Sequence, residues 1–224
     1  MIGTVADLRN PSISHMYAFY RTYYVPGNMA VLISGDIDVD ATIQTIDAAF
    51  SAWPAGKVPK PRRWREPKIE AVHRDTVYYP GEESVLIAFR TQPSTHQDTE
   101  ALQLIDMILD NAVAGLINLN LNQQQRVRQA GSYSTSHGVS NDYGAQFLWG
   151  TPKQGQSLEE VERLLLEQVE LVRSGQFDEW LILAIVTDFE KMQAQRLEIN
   201  GERVDMMREA FIAGQDWDQA RRRL

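Results

Sequence analysis

The sequence predicts an α+β fold, a mostly antiparallel sheet with helices packed on one face. Two pairs of short, β-rich segments each flank a turn-forming dipeptide, Pro80-Gly81 in one pair and Asn141-Asp142 in the other, the pattern of hairpin-like neighbours. Capped amphipathic helices then follow in a run rather than alternating strictly with strands, which argues against a doubly wound sheet. A chain of 224 residues, 43% of them apolar, is also long enough to bury a core without a disulfide or a metal.

Taken in order, Ser12 caps a helix through Met16, Phe19 and Tyr20 that ends before Pro26-Gly27. The apolar run 29–34, closed by Gly35-Asp36, reads as a buried strand. Asp38 or Asp40 caps a helix with Ile43, Ile46, Ala49 and Phe50 on one face, broken at Pro54. From Lys57 to Lys68 come six basic residues, one acid and prolines 59, 61 and 67. Proline at that spacing favours an extended backbone and reads as an interdomain linker; the alternative, a basic patch for a polyanion, has only Trp64 as aromatic support. The predicted domains are therefore 1–56, a linker 57–68, and 69–224.

In the second region, 69–79 and 84–91 read as strands. Thr95 with Asp98 opens a helix carrying Leu102, Ile105 and Leu109, and a further helical stretch reaches about Gln125. Strands are expected at 131–137 and 143–151. Ser157-Leu-Glu-Glu160 is a capping box before Val161, Leu164, Leu165, Val169 and Val172, stopped at Gly175. Asp178 starts a helix with Leu181, Ile185, Phe189 and Met192, and two more helical pieces finish the chain. Region 1–56 thus holds one strand, which cannot satisfy its own backbone groups. It must take neighbours from the second region, from another chain or from residues outside this sequence, so the chain reads as a fragment.

Composition removes several chemistries. There is no cysteine, hence no thiol nucleophile, thiolate zinc site or iron–sulfur cluster. A net charge of −8 speaks against nucleic acid or anionic membranes as main partners. The apolar runs are far shorter than the roughly 20 residues of a membrane-spanning helix, and the first residues do not resemble a signal peptide. The four histidines, His15, His73, His96 and His137, include no two at helical ligand spacing. His96 with Asp98 and Glu100 reads as a helix start, and Gly35-Asp36-Ile37-Asp38 as a capped strand-to-helix turn. No catalytic or metal residue is assigned. Arg126 and Tyr133 stand out, because they straddle a helix-to-strand turn, and an Arg with a phenol can polarise a peptide carbonyl. The plainer reading leaves Arg126 on a solvated surface and Tyr133 packed on the sheet.

The stretch from Tyr20 to Asp36, with its Tyr-Tyr, Pro, Asn-Met, apolar run and Gly-Asp, resembles a signature of the pitrilysin/insulinase family of zinc metallopeptidases, which includes the mitochondrial processing peptidases. Phe50-Ser-Ala-Trp-Pro54, Val85-Leu-Ile-Ala-Phe-Arg90 and Gly155-Gln-Ser-Leu-Glu-Glu160 are similar to later pieces of that family, in order. The resemblance implies a LuxS/processing-peptidase-like domain, with 1–56 the end of the first homologous domain and 69–224 most of the second. It implies zinc in the parent protein and a peptide or unfolded polypeptide as substrate. The family's H-x-x-E-H motif is absent here, so no zinc ligand is expected in this chain and the chain alone is expected to be silent. The family's substrate-facing Arg and Tyr stand seven residues apart, as do Arg126 and Tyr133.

Expected partners are the polypeptide substrate, the rest of the parent chain and, for the fragment alone, a swapped homodimer, with no nucleic acid and no membrane span. Two alternatives stay open: a non-catalytic family member acting as a peptide-binding or assembly subunit, and an unrelated α+β interaction domain. An H-x-x-E-H upstream of Met1 would favour the peptidase portion.

Overall fold

A computed structural model describes residues 4–60, 65–111, 113–135 and 142–222. Pro61 to Trp64 of the expected linker, His137, Asn141 of the second turn, and the first and last residues lie outside them. The chain divides into two compact units, residues 1–76 and 77–224.

Unit 1 holds helices α1 (Val5–Arg9), α2 (Ile13–Tyr23) and α3 (Val39–Phe50). Each has the cap its sequence calls for: Thr4, Ser12 and Asp38 side chains accept from the backbone N–H three residues on. The apolar faces read from the sequence are formed but not covered, since Met16, Phe19, Ile43 and Phe50 are all exposed. Rings pair along α2, Phe19 with Tyr23 at 4.6 Å and Tyr20 with Tyr24 at 4.9 Å. The expected strand at 29–34 is corrected here: the segment is not a strand, and Met29, Val31 and Ile33 are 44%, 54% and 41% exposed. It has strand composition, but the described residues of unit 1 form no strand beside it.

Unit 2 carries β1 (Val85–Thr91), α4 (Thr99–Leu109), a π-turn (Asn118–Asn122), β2 (Gln129–Ser134), β3 (Gly144–Thr151), α5 (Leu158–Arg173), α6 (Glu179–Glu198), α7 (Asn200–Ala213) and α8 (Trp217–Ala220). The strands form an antiparallel sheet in the order β1-β3-β2. Residues 69–79 are not a strand, which corrects the first predicted hairpin; β1 pairs with β3 instead. The first helix starts at Thr99, not Thr95, and the stretch toward Gln125 tightens into the π-turn.

The sheet alternates cleanly. Along β3, Gln146, Leu148 and Gly150 are buried and Phe147, Trp149 and Thr151 are half-buried. Leu148, Ala130, Val85 and Ile87 meet Val161, Leu164 and Leu165 of α5, with Leu109, Ile117, Leu121 and Val127 closing the core. Gly150 allows that approach, because a Cβ there would lie 2.6 Å from Val161 Cγ1. A second cluster joins Ile108 of α4 and Leu116 to Leu181 and Ile185 of α6. On α4 the buried residues are Thr99, Ile108 and Leu109, so Leu109 of the predicted face is covered while Ile105 is 37% exposed. No helix among the described residues is long and apolar enough to cross a membrane.

Candidate functional site

Helices cover one face of the unit 2 sheet; the other face carries the candidate site. The register stacks it in rows across three strands: Leu86–Trp149–Gly131, then Ala88–Phe147–Tyr133, then Arg90 beside Ala145. Tyr133 lies on Phe147 with ring centroids 4.8 Å apart, an arrangement worth about 0.5–1.5 kcal/mol beyond area burial. Yet Tyr133 remains 44% exposed and Leu86 60% exposed. Arg90 sits over the Tyr143 ring at 5.1 Å. Neutral aromatic surface with one cation at its margin can receive apolar side chains of an extended chain.

The two edges of the sheet differ. On β2, Asn122 Oδ1 accepts from the Ala130 N–H at 2.8 Å and its Nδ2 donates to the Ala130 carbonyl at 2.9 Å. Asp110 Oδ2 accepts from the Ser132 N–H at 3.0 Å. Side chains thus stand where another strand would pair. The β1 edge is built from Val85-Leu-Ile-Ala-Phe89, and Phe89, on the helix-covered face, is still 40% exposed.

Arg126 follows Gln125, which sits at φ 53°, and its N–H bonds back to the Leu121 carbonyl at 2.8 Å, closing the π-turn. Gln156 Nε2 donates to the Arg126 carbonyl at 2.9 Å. The Arg126 guanidinium lies 3.5 Å from Glu167 of α5, both side chains about two-fifths exposed, and Glu167 is shared with Arg163. Arg126 is thus held toward the helix layer before β2 begins, whereas Tyr133 stands on the opposite face near the far end of the strand. The strand's rise puts about 13 Å between residues 129 and 133.

Sequence reading missed the polar residues that fix this architecture. Gln168 is 1% exposed on α5; its Nε2 donates to the Leu164 carbonyl and its Oε1 accepts from Asn120. Its spacing from Val161 and Leu164 was the available signal, hidden because Gln counts as polar. His96 Nδ1 faces Asp98 at 3.5 Å and accepts from its N–H at 3.2 Å, local to the helix start. A cavity of about 310 Å³ opens among α4, α6, α7 and α8, with Phe189, Met192, Met206 and Trp217 in its wall. Among the described residues no group of three or more His, Cys, Asp or Glu is placed to hold a metal ion.

Residues 12–188 match the model of the peptidase M16 inactive domain. The chain belongs to the M16 peptidase family. A curated relative, the zinc protease PqqE of Helicobacter pylori, is 24% identical over 180 residues, covering 75% of this chain and 39% of that protein. A solved protease from Helicobacter pylori superposes with a TM-score of 0.82 at 18% identity, over 99% of this chain and 55% of that one. The periplasmic protease PqqL from Escherichia coli gives 0.64 at 12% identity, over 99% of this chain and 26% of that one. These M16 likenesses bear out the α+β fold, its antiparallel sheet and the pitrilysin-type resemblance. The chain spans two-fifths of the curated relative and about half of the first structural one.

Proposed function

We propose that this chain is a portion of a zinc-dependent metallopeptidase and forms a wall of its substrate chamber, without the zinc site itself. Residues 1–56 are the end of the first homologous domain, 57–68 the linker and 69–224 most of the second. The observation that carries this is the match of residues 12–188 to an inactive peptidase domain; the exposed Tyr133–Phe147 face supports it as the surface offered to an unfolded chain.

The donor set here does not suit zinc: His15, His73 and His96 fall on separate segments, and the described acids form no three-residue cluster with them. We assign no bond-breaking step to this chain. Its own residues bind and orient. Tyr133 presents ring and hydroxyl to the peptide from the exposed sheet face, and Arg126, paired with Glu167 at 3.5 Å on the other side of the sheet, is assigned a separate contact with a substrate carbonyl or carboxylate before the start of β2. In the parent protein, Arg126→Ala and Tyr133→Ala should each lower kcat/KM for an unstructured peptide by about tenfold or more, with zinc content unchanged. Unchanged kinetics in both variants overturns the assignment.

The description of the matching domain as inactive also suits a non-catalytic peptide-binding or assembly subunit. An H-x-x-E-H motif in the reading frame upstream of Met1 decides for the peptidase, and its absence there for the subunit.

A further inference from the structure

On the helix side of unit 2, away from the exposed sheet face, the cavity of about 310 Å³ among α4, α6, α7 and α8 has no part in the peptidase reading. Local rules build it. Gly214, at φ 67°, ends α7 in a left-handed turn, and the Asp216 carboxylate caps α8 by accepting from the Asp218 and Gln219 N–H groups. Gln193 Nε2 of α6 donates to the Arg221 carbonyl at 2.8 Å, which holds the end of the chain against α6. Trp217 of α8 thereby becomes a wall facing Phe189 and Met192 of α6 and Met206 and Ala213 of α7. The volume falls at the small end of ligand pockets, which run roughly from 300 to 1,000 Å³.

Charge decides what such a cavity takes. The charged side chains in its wall are Glu100 of α4, Arg196 of α6 and Glu209 of α7. Arg196 is already engaged, its Nε 3.0 Å from Glu202 and its Nη2 3.7 Å from Glu209. A ligand carboxylate would have to displace these acids from the guanidinium and would still meet Glu100. A cation meets the opposite conditions. Two carboxylates face it in the wall, the rings of Trp217 and Phe189 attract positive charge, and the thioethers of Met192 and Met206 adapt to an alkyl or aryl body. We propose that this cavity binds a small organic cation, an alkyl- or arylammonium with its apolar body against Trp217, Phe189 and the two methionines. Glu209 is the residue assigned to the ammonium group, because its 3.7 Å contact with Arg196 is longer than a hydrogen bond.

Three probes on one skeleton separate charge from apolar burial: phenylpropylamine, the neutral phenylpropanol and the anionic phenylpropanoate. Each is titrated calorimetrically into the full 224-residue chain. The expected result is saturable binding of the amine, about tenfold tighter than the alcohol, with the carboxylate weakest. Glu209→Gln, which keeps the size of the side chain and removes its charge, should bring the amine down to the level of the alcohol and leave the alcohol unchanged. Ala213→Leu, which puts extra methylenes into the cavity, should weaken amine and alcohol together by about tenfold or more. The amine should also raise Tm, as a ligand of the folded state does. No saturable binding of the amine, an alcohol that binds as tightly, or a carboxylate that binds more tightly overturns the site. Amine binding unaltered in both Glu209→Gln and Ala213→Leu overturns it as well.

Discussion

Asn122, with Asp110, closes the β2 edge of the sheet. The Asn122 amide makes both the hydrogen bonds to Ala130 that a neighbouring strand would make. Asn122→Ala should therefore lower stability by about 1–3 kcal/mol, read as a drop in denaturant midpoint at unchanged m-value. Gly131→Ala should lower it by about 1–3 kcal/mol as well, since the new methyl meets the Asp110 carboxylate and the Trp149 indole; Asp110→Ala in the same background should return part of the loss. Neither residue was legible beforehand. A Gly in a strand and an Asn in a polar run have no periodicity to mark them, and their partners lie in other elements. Gln168 and Gln146 escaped for the same reason. A buried amide looks like a surface residue until its partner is located.

Among elements, what the sequence specifies locally is what formed. Ser12, Asp38 and Ser157 are N-caps in the structure, and the α5 stripe of Val161, Leu164 and Leu165 is buried as its spacing requires. Segments that need a distant partner behaved differently. Residues 29–34 and 69–79 have strand composition but form no strand, because pairing is a property of two segments and not of one. Among the described residues β1 has only β3 as a strand neighbour, and Met29, Val31 and Ile33 are exposed; an apolar edge strand recruits another strand. We expect concentration-dependent association of the isolated chain, 29–34 of one copy pairing with β1 of another. Ile33→Lys or Leu86→Lys should render it monomeric in sedimentation equilibrium with little change in Tm; association that persists in both variants contradicts this pairing.

At the scale of the whole molecule, unit 2 has two hydrophobic clusters, whereas among the described residues of unit 1 only Val25 is a buried apolar residue. Heating should therefore show unit 2 unfolding cooperatively and unit 1 losing its helices over a broad range, seen as non-coincident changes in Trp53 and Trp149 environments. The family was legible from the Tyr20 to Asp36 stretch because that motif is local, and the fold class from the order of elements. Of the candidate face Tyr133 was singled out beforehand, but Phe147 and Trp149 were not, because the three become neighbours only through strand register. We place the peptidase chemistry outside these 224 residues. Zinc content and cleavage of an unstructured peptide, measured on the purified chain, test this placement. Substoichiometric zinc and no chelator-sensitive hydrolysis are expected. One zinc per chain with cleavage abolished by a chelator would contradict it.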